Sequence, residues 1–422
     1  MANLTTLSAV LKEFYLGPIV NQLNNEILAI ELFQKAQVDW QGKKVVIPVK
    51  VGRNSGVGFA SDGGTLPTAG NQQYQDLLVN ARYSYGRFTV TGQSIAASKT
   101  SAGAFVQAMD SEMTGLVEDV KNMCNRAAFT GGSVIGYVWE KANQTTFQYA
   151  GATTCANGDA FTLGGATTTA QLVRLDTYAA VGAATRVNAV DEQSITFNAA
   201  IDTSAVPAGV VLAVVLPSAS VLKYNSAGAW DLEPAGIQMN LSAPFHFSVD
   251  RTTATGTATE LQSVHLLADP SADAFASLSL ASIERALNKV NLASGKKPDV
   301  IICNDLLKVE YTSLLQGTSA QNLFVPTDKS SDGYAGFSRI FYNGIEIKSS
   351  RHAPKGTFFL LSSKLSWKLA VLGDLGFMDE DGNVLFRIQN QDAYEGTAKW
   401  YYNVVCTEPH ANAVLTGVSF SA

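Results

Sequence analysis

Apolar and polar positions change their spacing several times along this chain, and each change marks an element. Residues 1–40 form a loosely amphipathic arm with Leu11, Phe14, Ile19, Leu23, Ile27 and Leu28 as its apolar positions. An arm that short cannot bury both faces alone. The β-branched run KKVVIPVKV (43–51) then reads as a strand. Residues 77–90 return with period-two alternation that sets Val79, Ala81, Tyr83 and Tyr85 on one face. Together they predict a long hairpin over 41–90, tipped by the glycine-rich, nearly uncharged stretch RNSGVGFASDGGTLPTAGNQQYQD (53–76). Isolated two-stranded ribbons are marginal in water, so this one is expected to lean on something else.

The clearest helix follows. Phe105, Met109, Met113, Leu116, Val120, Met123 and Ala127 repeat at three and four residues, Thr100 or Ser101 can cap the start, and Gly131-Gly132 stops it. Asp110, Glu118, Lys121, Asn122 and Arg126 mark the opposite face, which predicts a half-buried rod about 40 Å long. From about 132 to 268 the chain turns to short β-type runs rich in Thr, Ala, Gly and Val, such as QSITFNAAI and GVVLAVVL. Helical spacing returns at 273–294 through Phe275, Leu278, Ile283, Leu287 and Val290, with Gly295 and Pro298 as the stop. DVIIC (299–303) reads as a buried strand, with Asn304 capping a helix through Leu315. Residues 337–406 alternate strands and turns, including an Asn343-Gly344 hairpin signal, and finish with Trp400, Tyr402, Val404 and Cys406 sharing a face.

At 422 residues and 46% hydrophobic content, the chain can bury a sizeable core. Its net charge of −6 sits in one place: residues 132–270 hold five Lys/Arg against eleven Asp/Glu, and the remainder is balanced. Charge imbalance and a change of periodicity together point to an inserted β-rich module with its own surface. An acidic chain without a basic face is not a dedicated nucleic-acid binder. Cys124, Cys155, Cys303 and Cys406 show no C-x-x-C pairing and read as reduced thiols. The start, MANLTTLSAVLKEFYLG, lacks a secretory pattern. The longest apolar run, Ala208 to Leu216, lies between Pro207 and Pro217 and falls far short of the ~18 residues a span requires. A soluble intracellular product with no membrane partner is expected.

The motifs of catalysis stop short of completion. Gly56-Val57-Gly58 is followed by Ser61 where a dinucleotide fingerprint needs its third glycine. GGSVIG (131–136) has Ile135 where a nucleophile elbow needs glycine. SGKKPD (294–299) ends a helix and has Val290 in place of a phosphate loop's first glycine. In MDEDGNVLF, Gly382 follows Asp379 too soon for a calcium loop, so the segment reads as a β-turn. His246, His265, His352 and His410 stand far apart. The expectation is no enzyme, no metal and no cofactor.

The order of parts resembles the major capsid proteins of tailed bacteriophages, the HK97-type fold. The segments that carry the likeness are the arm, the hairpin, the long helix, NKVNLASGKKPDVIICNDLLKVEYTSLL, and the return strand in YEGTAKWYYNVVCTEPHANAVLTGV. The resemblance implies an α+β fold with an N-terminal arm (1–40) and an extended β-hairpin loop (41–90). A peripheral domain with its spine helix (91–131), the inserted β-rich module with peripheral strands (132–269), an axial α/β domain (270–385), and C-terminal strands rejoining the peripheral domain (386–422) complete it. It further implies a virion protein, made in the host cytoplasm, whose copies assemble as hexamers and pentamers into an icosahedral shell around double-stranded DNA. A tail or decoration protein is the alternative. On the resemblance the loop lies over an adjacent subunit, its glycines letting it bend, with Arg53, Phe59, Asp62, Leu66, Arg82 and Arg87 as inter-subunit contacts. Some family members weld this loop to a neighbour through a lysine; none lies between Lys50 and Lys99, so an unlinked shell is expected. No long scaffolding segment precedes the arm, which implies a separate scaffolding protein. A portal, packaged DNA held by weak contacts, and decoration proteins on the acidic module complete the expected partners.

Overall fold

Val300–Cys303 is apolar at all four positions because the strand is covered on both faces: Ile301 and Cys303 point into one core, Val300 and Ile302 into another. The computed structural model describes residues 27–419 apart from 35–36, 41, 94–101, 130–133, 140–143, 152–153, 156–160, 163–168, 175–179, 191–193, 205, 207–210, 216–233, 243–244, 248, 251–260, 269–275, 318–339, 355 and 380–383. Most of the arm, Thr100, Ser101, the Gly131-Gly132 stop and the turn at Asp381-Gly382 lie outside the described residues.

The chain enters through α1 (Leu28–Gln34) and β1 (Gln37–Asp39), runs out and back along β2 (Val45–Gly52) and β3 (Gln73–Val79), and crosses to β4 (Arg82–Thr91) and the long α2 (Ala102–Phe129). Six strands then close a barrel: β5 (Val134–Trp139), β6 (Gln144–Gly151), β7 (Thr169–Arg174), β8 (Ala180–Val190), β9 (Ser194–Ile201) and β10 (Val211–Val215). The barrel has its own core, built from Val138, Phe147, Tyr149, Leu172, Val187, Ile195, Phe197, Leu212 and Val214. Its first and last strands pair, with Val134 opposite Val215, so the chain leaves beside the point where it entered. That is the geometry of an insertion.

After the barrel come α3 (Ile237–Ser242), β11 (Val264–Leu267) and β12 (Ala276–Ser277), then α4 (Leu280–Ser294), β13 (Val300–Cys303) and α5 (Asp305–Gly317). The chain continues through β14 (Ile340–Tyr342), β15 (Ile345–Ser349), β16 (Phe358–Leu361), β17 (Trp367–Phe377) and β18 (Leu385–Arg387). It closes with β19 (Ala393–Cys406), β20 (Ala413–Thr416) and β21 (Val418–Ser419). A six-stranded sheet, ordered β11-β20-β16-β13-β15-β14, carries α4 and α5 on one face. In the second sheet, β4 lines one edge of β19 while β17 and β18 share the other, and β1 lies parallel to β17.

Several local expectations meet the structure directly. Asn343 (φ 48°) and Gly344 (φ 76°) make the tight turn between β14 and β15. Asn304 Oδ1 accepts from the Leu306 amide at 3.2 Å to start α5. Trp400, Tyr402, Val404 and Cys406 all face the central core. Three readings are corrected. The helix predicted from 273 starts at Leu280, because Ala276–Ser277 pair in parallel with Val418–Ser419 and Ser279 Oγ caps the Ser282 amide at 3.1 Å. The strand read as 77–90 breaks after Val79: the buried phase is Leu77 and Val79 in β3 but Ser84 and Phe88 in β4, so Tyr83 and Tyr85 lie outward instead of sharing a face with Val79. The third concerns α2, which is covered all round from Cys124 on and buries Asn122 just before, so that Asn122, Asn125 and Arg126 are buried and not on a solvent face. Asn125 Oδ1 accepts from the Ala29 amide at 2.9 Å, which ties α1 to α2. Gly86 brings α2 onto β4: a Cβ there would lie 2.6 Å from Val120 Cγ2.

The two large sheets join where the chain crosses twice, at 361–367 and 406–413, and the side chain of Asn412 sits fully buried between the crossings. Its Oδ1 accepts from the Ser362 amide at 2.8 Å and the Trp367 indole at 3.1 Å, while its Nδ2 donates to the Glu408 carbonyl at 2.9 Å and Ser366 Oγ at 3.1 Å. Asp299 accepts from the Ser363 hydroxyl at 2.8 Å, and Lys296 pairs with Glu408 across the same joint. Buried donors and acceptors satisfied this fully make a joint that resists opening.

Candidate assembly surface

The ribbon of β2 and β3 projects from the second sheet. Its base is seated, with Val49, Val51, Leu77 and Val79 packed against Ala370, Val405, Val249 and Leu261. Beyond Gly52 the two legs continue without a regular ladder, yet remain close. A Cβ on Gly56 would sit 2.7 Å from the Gly70 amide nitrogen and 2.8 Å from the Thr68 carbonyl oxygen, and one on Gly58 would sit 3.1 Å from Pro67 Cγ. The tip closes with the Gly64 amide donating to the Ser61 carbonyl at 2.9 Å, Gly63 taking φ 70°. Glycine at 56 and 58 is therefore explained by leg-to-leg approach, a reason the sequence alone did not offer.

Apolar side chains on this ribbon face solvent. Phe59 is fully exposed, Val57 85% and Leu66 80%. Of the residues expected to make contacts, Arg53, Phe59, Asp62 and Leu66 lie together on the outer ribbon, all exposed. The other two do not. Arg82 begins β4 opposite Tyr402, and Arg87 lies opposite Thr397 with its guanidinium paired to Glu395 of its own chain.

Near the ribbon's base, the open face of the second sheet holds a group the sequence reading passed over. Tyr83 lies directly opposite Tyr401, their rings edge to face at 5.0 Å, and Tyr85 sits 5.7 Å from the same ring. The Tyr85 and Tyr401 hydroxyls are hydrogen-bonded to each other at 3.2 Å, and Lys399 lies over the Tyr401 ring at 5.7 Å. That hydrogen bond, then burial, pushes the Tyr401 phenol up to about 12, so it stays neutral. Tyr83 and Tyr85 are each about half exposed, as is Leu372 nearby on β17. The available signal was the Tyr-x-Tyr alternation, misread because the phase slips at Asn80, whose carbonyl accepts from Asn403 Nδ2 at 2.8 Å.

Among the described residues no three His, Cys, Asp or Glu side chains gather as metal ligands, and no helix is long and apolar enough to cross a membrane. Burial pushes the Cys303 thiol up to about 12, and Cys124 and Cys406 are likewise buried, none of the three being in a disulfide.

No protein-family model matches the chain, and no curated protein matches its sequence. Solved structures do match. The chain is similar to a protein of the cyanophage A-1(L) capsid asymmetric unit, with 14% identity, a TM-score of 0.57 and 99% of each chain covered. It is also similar to the capsid protein of a native GTA particle, with 10% identity and a TM-score of 0.51, covering 97% of this chain and 96% of that one. At such identities the likeness is one of fold. The chain has the α+β, HK97-type fold of these capsid proteins over nearly its whole length.

Proposed function

We propose that this chain is the major capsid protein of a tailed double-stranded DNA phage, forming hexamers and pentamers that close into an icosahedral shell around the genome. The observation that carries the reading is the ribbon: a capsid fold of full length displays Val57, Phe59 and Leu66 beyond its seated base, the first two about 20 and 26 Å past the buried Val51 at ~3.3 Å per extended residue. Apolar side chains held that far from their own core gain burial only from another molecule. The tip and the tyrosine face at its base are different surfaces of one chain, and an interface between unlike surfaces is heterologous, which builds rings when the rotation closes. The open face of Tyr83, Tyr85, Tyr401 and Leu372 on a neighbouring copy is the acceptor in this reading. Arg53, Asp62, Arg82 and Arg87 are contacts around it.

The role is structural and not enzymatic. Residues 1–40 act as the arm, 41–90 as the extended loop, 91–131 as the peripheral domain with its spine helix, and 132–269 as the inserted module with peripheral strands. Residues 270–385 supply most of the axial domain, whose sheet also takes in β11 and β20, while β17 to β19 pair with one another and with β4 at the periphery. The charge-balanced body suits an inner wall along which DNA slides, and the acidic insert suits an outward platform for decoration proteins. A scaffolding protein and a portal are the further partners, with the virion as the location. Electron microscopy of the chain expressed alone tests this. Closed shells with five- and six-membered clusters support it, tubes favour a tail protein, and monomers or small discrete oligomers at every concentration overturn it.

A further inference from the structure

We infer that the outer ribbon is a preformed docking plug, closed before it meets a second copy, and that Gly56, Gly58 and Gly70 are the positioning residues that hold it shut. This rests on the shell reading above. The two legs touch at successive heights: Gly52 meets Gln73, Gly56 meets Gly70, Gly58 meets Pro67, and the Ser61–Gly64 turn seals the end. These contacts continue the pairing of β2 with β3, where Lys50 lies opposite Tyr74 and Gly52 opposite Gln73. A loop of twenty-odd residues that was free to wander would not keep its legs in step.

Closure decides where the apolar groups go. The Cβ directions of Gly56 and Gly58 run into the opposite leg, so no side chain fits there. In an extended leg the intervening positions point the other way, and those positions are Val57 and Phe59, both almost wholly exposed. Continued register sets Leu66 across from Phe59. The result is one bare, glycine-lined inner side and one apolar outer side, fixed relative to the ribbon's base. Asn54 reinforces the neck: its Oδ1 accepts from the Gly56 amide at 2.7 Å, and a Cβ on Gly70 would come within 2.5 Å of both that oxygen and Ser55 Oγ. The occupant of the apolar side is a second copy of this chain, since residues 57–69 of the plug are exposed throughout and find no cover on their own subunit. Pre-organisation of this kind lowers the ordering cost of each docking event.

Two variants test closure from opposite directions, with the wild-type chain and Gly115→Ala as references; Gly115 has open space around it on α2. Gly56→Ala/Gly70→Ala is expected to keep the thermal midpoint of the unassembled chain and to raise the concentration needed for assembly by at least about tenfold. Gly58→Cys/Pro67→Cys is expected to oxidise readily, because a Cβ at 58 lies 3.7 Å from Pro67 Cβ, within disulfide range, and to assemble as well as wild type while locked. The inference is overturned if the alanine pair assembles at the wild-type concentration, or if the locked ribbon cannot assemble until reduced. Should the alanine pair fail to fold, the locked variant still decides. A wild-type chain that never assembles defeats the shell reading itself and this inference with it.

Discussion

Replacing Asn412 by alanine should damage the molecule more than any other single change of a neutral side chain at the joint between its sheets. The substitution strips partners from the Ser362 amide, the Trp367 indole N–H and the Glu408 carbonyl, all served by one fully buried side chain. A buried donor or acceptor left unpaired costs about 1–3 kcal/mol. Because the three share one site and relax together, the expected loss is roughly 3–5 kcal/mol, below their simple total. Against a typical stability of about 5–15 kcal/mol, that is a large fraction. Urea unfolding of the unassembled chain, followed by circular dichroism, gives the number, and limited proteolysis reports whether 362–367 and 406–412 become the first sites of cleavage. A loss under ~1 kcal/mol with an unchanged cleavage pattern would refute the claim that this asparagine locks the crossing.

Other consequences can be checked separately. Gly86→Ala pushes a methyl group into Val120 and Leu116 of α2, so a loss of about 1–3 kcal/mol is expected in the same unfolding assay, and an unchanged midpoint would mean the helix does not rest on β4 there. Residues 133–216 expressed alone should give a dispersed amide spectrum and a cooperative melt, since the barrel has its own core and adjoining ends; a collapsed, non-cooperative fragment would count against an independent module. Cys303 holds its proton to about 12 when folded, whereas an unfolded thiol releases it near ~8.5. Its raised value stabilises the fold fully below the unfolded value, and the contribution fades as pH climbs towards the folded one. Cys303→Ala should therefore flatten the alkaline fall in stability relative to wild type, and parallel curves would speak against the burial that raises it.

Where one face of an element is buried, its spacing in the sequence was enough to place it. The turn at Asn343-Gly344 and the α5 cap at Asn304 were legible because each depends on chemistry within a few residues. The readings that failed depend on distant segments. Asn122 and Arg126 look like a solvent face on a helical wheel, yet α1 and α3 come from either side of the sequence to cover that end of α2. The tyrosine face needs Tyr401 brought beside Tyr83 and Tyr85 from over three hundred residues away. Helix α4 begins late because β12 pairs with a strand near the C-terminus. For the ribbon, composition revealed an unusual glycine content but not its cause, which is the distance between two legs.

The central claim is that this subunit completes itself on its neighbours, and a cryo-EM reconstruction of the assembled particle tests it most directly. The account predicts density for the ribbon reaching an adjacent copy, with Phe59 and Leu66 buried against it. Particles in which the ribbon folds back on its own subunit, leaving those side chains in solvent, would contradict it.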